Sequence, residues 1–191
     1  MSEVRVGSKI EYPPDDTYVI VDVGARSQDW GKDLHPYRLG PVTVKGFTRD
    51  YRSSNLESAW KFSQVYDCHA DPLGYPTPEY ERWAINGFSR NGAYRYPMGI
   101  ETPPVATVWD GKKLDPVDAR KKVFFEMYRD LVVKTEAFKK LKSLYDAGNV
   151  YLKADDAYDI DEQGLTLDEA ADDITKPYSH ALVLKQILQE G

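Results

Sequence analysis

The chain is sparing in the features that settle a class by themselves. Cys68 is the only cysteine among 191 residues, so no intrachain disulfide can form, and the chain reads as intracellular and cytoplasmic. No stretch approaches the ~18 apolar residues of a membrane span, so no membrane partner is expected. The opening "MSEVRVGSKIEYPPDD" has no apolar signal core. Positive charge is not in excess, because the formal net charge is −6. That argues against a general polyanion binder, although it leaves room for a local phosphate pocket. The patterns G-x-x-x-x-G-K-[ST], G-x-G-x-x-G and G-x-S-x-G are all missing, which removes P-loop, Rossmann and hydrolase-elbow readings. Cys68-His69 with Asp71 is a poor zinc pattern, since adjacent ligands on one loop lack partners, and neither metal nor cofactor is expected.

Aromatic side chains are plentiful at 13%, with 14 tyrosines, so most of the chain should fold. Residues 1–16 read as a lead-in ended by Pro13-Pro14, and 17–191 as a single domain. "TYVIVDV" (17–23) looks like a strand buried on both faces, and "PVTVKGF" (41–47) alternates like a second. Helices are predicted at about 54–66, capped by Ser53 or Ser54, and at about 78–88. The segment 89–104 is irregular, and 105–109 is a short strand turning at Asp110-Gly111. Asp115-Pro116 opens a helix to about 133, Thr135 caps another to Ala147, and Gly148 closes it. A strand at 149–153, an acidic loop at 154–164, a short helix after Thr166 and a last helix at 179–189 complete the chain. The fold class is α+β, mostly helical with a small sheet.

The stretch "SNLESAWKFSQVY" (54–66) carries an odd polar line. At ~100° per residue, Glu57, Lys61 and Gln64 fall within an arc of roughly 60°, while apolar side chains cover much of the remainder. A surface helix normally shows the opposite proportions. One reading is an exposed Glu57–Lys61 pair worth ~0.3 kcal/mol. The other is a line facing a pocket, with Glu57 a tuned carboxylate and Trp60 or a tyrosine a stacking wall.

"NLESAWKFSQVY" resembles the signature helix of the NADAR superfamily, the NAD- and ADP-ribose-associated domains. In that family a Glu is followed one turn later by Gln and two turns later by Lys. Glu57 matches the Glu, while Lys61 and Gln64 stand with the two polar types exchanged. Residues 119–152 resemble the family's back half, and "DDAYD" (155–159) resembles its acidic turn, with Asp156 and Asp159 the nearest equivalents. "RYPMG" (95–99) falls where the family has a basic, glycine-containing segment. The resemblance spans about residues 17–160. It implies an N-glycosidase-like hydrolase acting on a ribosylated base or nucleotide, of the ADP-ribosyl-guanine class. Its partners would be a small nucleotide or ribosylated-base substrate, or modified nucleic acid.

Cleaving an N-glycosidic bond builds positive charge at C1′, which a nearby carboxylate stabilises while it activates water. Glu57 is the candidate for that role. Lys61 would hold a phosphate or base oxygen, and Gln64 a ribose hydroxyl. Asp156 or Asp159 would serve as a second acid, with Tyr158 beside them, or would simply form a solvated turn. Arg95 is the best phosphate candidate because guanidinium grips phosphate bidentately, against the alternative of a surface ion pair. Arg26, just after the first strand, stands where α/β-type sheets bind ligands. His180, opening the last helix, suits either a neutral hydrogen-bonding role in the pocket or a place in the core. Two other readings remain: a non-catalytic nucleotide or ADP-ribose binder, such as a phage or bacterial accessory factor, and a structural or interaction protein.

Overall fold

A computed structural model describes residues 2–46, 49–90 and 102–191. The chain opens with strand β1 (Val4–Gly7), followed by β2 (Tyr18–Asp22), two 3-10 turns (Trp30–Leu34 and Pro36–Arg38), β3 (Val42–Lys45) and β4 (Asp50–Ser53). Helix α1 (Leu56–Ser63), strand β5 (Gln64–Val65) and helix α2 (Pro78–Phe88) follow. Strands β6 (Ala106–Trp109) and β7 (Lys112–Leu114) lead into α3 (Pro116–Ala119), a π-helical turn (Arg120–Phe124) and α4 (Phe125–Val132). Helix α5 (Glu136–Ala147), strand β8 (Asn149–Lys153) and helices α6 (Leu167–Asp172) and α7 (His180–Glu190) end the chain. This is the mixed α+β fold with small sheets that the sequence predicts.

The first sheet positions the site. It has the order β1–β8–β2, and both outer strands run parallel to β8. The lead-in expected over 1–16 is therefore corrected: Val4 and Val6 are fully buried, and their strand pairs with Val150–Lys153. Four residues of alternating character are too few to stand out from the proline-ended segment that follows. The strand at 17–23 is also corrected. Val19 and Ile20 are each 47% exposed, so β2 is an outer strand and β8 is the buried centre. A β-branched run shows strand propensity, and the number of neighbours it acquires is decided by topology.

Two smaller antiparallel sheets, β3–β4 and β5–β6–β7, pack around α1 and α2. The turn between β6 and β7 puts both Asp110 (φ 50°) and Gly111 (φ 68°) in the left-handed region, the geometry of a two-residue hairpin. One apolar cluster joins Val4 and Val6 to Leu56, Phe62, Tyr128 and the inward face of α7. The helix starts are local. Asn55, Thr77, Asp115, Thr135, Thr166 and Ser179 each accept a backbone N–H of the first turn. Asn55 thus replaces the expected Ser53 or Ser54, whose hydroxyls donate instead to carbonyls, Ser53 to those of Asn55 and Phe88 and Ser54 to that of Ser89.

Candidate functional site

Helix α1 is shorter than the 54–66 expectation. It ends at Ser63, and Gln64 turns into an extended conformation that pairs with Thr107 of β6. The three-residue polar line is thereby broken, since Gln64 leaves the wheel that Glu57 and Lys61 share. Its side chain accepts a hydrogen bond from the Tyr66 hydroxyl. β-Sheet pairing outweighs the last helical turn, a tertiary effect that periodicity along one segment does not register.

Glu57 and Lys61 keep their expected relationship and form an ion pair of 2.6 Å. The Glu57 side chain is 13% exposed and that of Lys61 31%, so the pair lies inside the surface. Burial works against the charge of Lys61, but the Glu57 carboxylate outweighs it, with help from Tyr37 and Asp156, and raises Lys61 above the ordinary lysine range. The charge of Asp156 therefore reaches the α1 pair from the loop after β8. Asp156 is held at the start of α7, where its Oδ1 accepts the Ser179 hydroxyl at 2.8 Å.

Two imidazoles stand behind the pair. His35 comes from the loop after β2, and its Nδ1 accepts the backbone N–H of Tyr37. Its ring stacks on Tyr37 at 4.9 Å and meets His180 edge-on at 4.6 Å. Burial, then the neighbouring His180 and the ammonium groups of Lys61 and Lys9, push His35 down to about 2, so it is neutral at any ordinary pH. His180 is a core histidine: it is 4% exposed, and its Nε2–H donates to the Val23 carbonyl at 2.9 Å. Lys9, in range of His35, also lies between Asp155 (3.3 Å) and Asp22 (3.7 Å).

These groups share a place in the topology. Asp22 ends β2, Val23 follows it, Asp155 and Asp156 follow β8, and Lys9 follows β1. They collect at the carboxyl ends of a parallel sheet, where open α/β sheets bind ligands, with the first residues of α7 alongside.

Other expected residues fall elsewhere. Asp159 is 5% exposed, and its carboxylate takes the Glu162 backbone N–H and sits 3.8 Å from Arg5. That set, with Asp161 bound to the buried Lys185, ties β1 to α7. Tyr158 is half-buried under the Lys176 ammonium, 4.9 Å from its ring centre, and burial raises its hydroxyl above the usual tyrosine range. Trp60 packs on Phe124 at 5.0 Å, as part of the core margin. Arg26 is exposed, and among the described residues its side chain makes no hydrogen bond or ion pair. Arg95 and its segment 95–99 lie outside the described residues. Among the described residues no group of three or more His, Cys, Asp or Glu is placed to hold a metal ion, and no helix is long and apolar enough to cross a membrane.

His35, Tyr37 and Lys9 are members of this cluster that the sequence reading did not select. His35-Pro36 in a loop rich in aromatic residues is the only signal available for them, and it is not specific. No protein-family model, curated protein or solved structure matches the chain.

Proposed function

We propose that the protein is an N-glycosidase-like hydrolase of a ribosylated base or nucleotide, with Glu57 as the carboxylate at the anomeric carbon. One observation carries the reading: a largely buried Glu57–Lys61 pair in electrostatic reach of Asp156, which follows the central strand of a parallel sheet. The resemblance of this helix to the NADAR signature supports the same substrate class.

In this chemistry the C1′–N bond breaks and its electron pair leaves with the base. Positive charge grows at C1′ and the sugar oxygen, and Glu57 stabilises it across the gap. Water then attacks C1′. Its proton passes to a carboxylate, and the departing base nitrogen takes a proton in turn. Asp156 is the second carboxylate, since Asp159 is occupied by Arg5 and the Glu162 backbone. Lys61 binds an anionic or carbonyl oxygen of the substrate, which draws it from Glu57 and frees the carboxylate to act. His35, held neutral by burial, and the buried ring of His180 wall the site.

The test is a thermal-shift screen with ADP-ribose, nucleotides and ribosylated bases, coupled to chromatographic detection of released base, on the parent and on Glu57→Gln. The expected result is a compound that stabilises both proteins and is hydrolysed only by the parent. Equal turnover by Glu57→Gln removes the mechanism. The ion pair that already neutralises Glu57 favours a second reading, a nucleotide binder without turnover. Stabilisation of both proteins with no base released from either selects it.

A further inference from the structure

A separate cavity of about 210 Å³ opens between α2, the β3–β4 hairpin and the 76–78 segment. Glu57, Lys61, Asp156 and the two imidazoles are not among its lining residues. Tyr51, Tyr80 and Phe88 supply aromatic walls, and Val44, Ala84 and Val108 fill between them. Among the described residues, Glu81 is the only charged one in the lining. Its carboxylate accepts the Tyr51 hydroxyl, which fixes it at the edge of an otherwise apolar space. The Tyr80 hydroxyl is turned away to the Phe62 carbonyl at 2.8 Å, so Tyr80 offers the cavity little polarity.

We infer that this cavity, with its three aromatic walls and the Glu81 carboxylate, binds a small organic cation with an apolar body, such as an arylalkylamine. Volume, wall chemistry and charge each support that class. A cavity of about 150 Å³ takes a benzene ring, so this one holds a ring and a short side arm. Aromatic faces attract an ammonium group through their quadrupoles, and a carboxylate at the rim adds to the attraction. An anion of the same size meets the same walls and an opposing charge. The Arg49 guanidinium lies 5.1 Å from the centre of the Tyr51 ring and within electrostatic reach of Glu81, so a ligand ammonium competes with it for that face.

The test uses three probes of one shape: phenethylamine, 2-phenylethanol and 3-phenylpropionate, titrated by calorimetry and followed by NMR on the Tyr51 and Tyr80 rings. Phenethylamine is expected to bind at least tenfold more tightly than phenylpropionate, with the alcohol between them. Glu81→Gln should bring amine and alcohol to within about twofold of each other. Ala84→Phe fills the cavity and should abolish binding of all three. Should that variant not fold, the smaller fill Ala84→Val should weaken all three in parallel. Equal binding of amine and acid, an unchanged preference in Glu81→Gln, or no saturable binding of any probe overturns the proposal. The hydrolase reading is untouched by any of these outcomes, because the probes carry no glycosidic bond and Glu57 is intact.

Discussion

His180 donates its Nε2–H to the carbonyl oxygen of Val23 at 2.9 Å, and this contact joins the first turn of α7 to the residue after β2. The two residues are far apart in the chain, and the bond fastens the start of α7 to the residue that leaves the sheet's carboxyl edge. The ring also meets His35 at 4.6 Å and Tyr128 at 6.0 Å. His180→Ala removes the donor and leaves a ring-sized void in a fully packed place. The expected loss is about 2–4 kcal/mol, combining the cavity with a buried carbonyl left unpaired. Urea unfolding measures it. A loss below about 1 kcal/mol contradicts the role given to this contact.

His35 makes the fold sensitive to mild acid. In the folded protein it is held neutral down to about pH 2, whereas in the unfolded chain it takes a proton near the usual 6.5. The unfolded state thus binds more protons below that value, and stability drains away as pH falls. Above pH 6.5 the contribution is fully present. Between pH 7.5 and 5.5 the cost from this one side chain is about 1.4 kcal/mol. His69, also shifted down by burial, adds a slope of the same sign that is common to parent and variant. Unfolding free energies at the two pH values should differ less in His35→Asn than in the parent. Parallel curves contradict a buried, neutral His35.

The helix starts and one key pair were legible in the chain because they are local. Asp115-Pro116, Thr135 and Thr166 announce their helices through side chains that reach two or three residues ahead. Glu57 and Lys61 lie one turn apart on a helix whose other residues are mostly apolar, and they pair as that spacing requires. The fate of Gln64 was not legible, since it depends on Thr107 as a strand partner 43 positions later. Asp156 and Asp159 look equivalent in the acidic loop. They diverge because Ser179 holds one at the start of α7 and Arg5 holds the other under β1. Such a choice is made by residues of other segments. The same holds for β1, whose buried Val4 and Val6 are recognisable as core only beside Val150 and Leu152.

Gly87 sets the approach of α2 to α1. A Cβ built at this position lies 1.9 Å from a ring carbon of Phe62, which is 3% exposed and cannot swing aside. Helix propensity alone favours Gly87→Ala by up to about 1 kcal/mol. Overpacking costs about 1–3 kcal/mol and should win. The variant is expected to unfold at lower urea, and adding Phe62→Leu should recover part of the loss. An additive double-mutant cycle would show that the two positions do not meet.

Arg120 is the last case, and it follows from the π-helical turn that begins at this residue. Arg120 is only 7% exposed, yet no carboxylate among the described residues forms an ion pair with it. Its guanidinium instead donates to the carbonyls of Ala171 (3.3 Å), Asp173 (2.8 Å) and Lys176 (2.7 Å). The first belongs to the last turn of α6 and the other two to the connection between α6 and α7, so one cation organises the chain that leads into the candidate site. Burial lowers the affinity of Arg120 for its proton, although a guanidinium stays charged over the accessible range. Arg120→Lys keeps the charge and loses the planar fork, and a compact ammonium cannot span three carbonyls at once. The unpaired carbonyls should cost about 2–3 kcal/mol. The 173–178 segment should then be cut faster by protease in the variant while the remainder of the chain resists. An unchanged cleavage rate there, at unchanged stability, would mean that the connection holds its shape without Arg120.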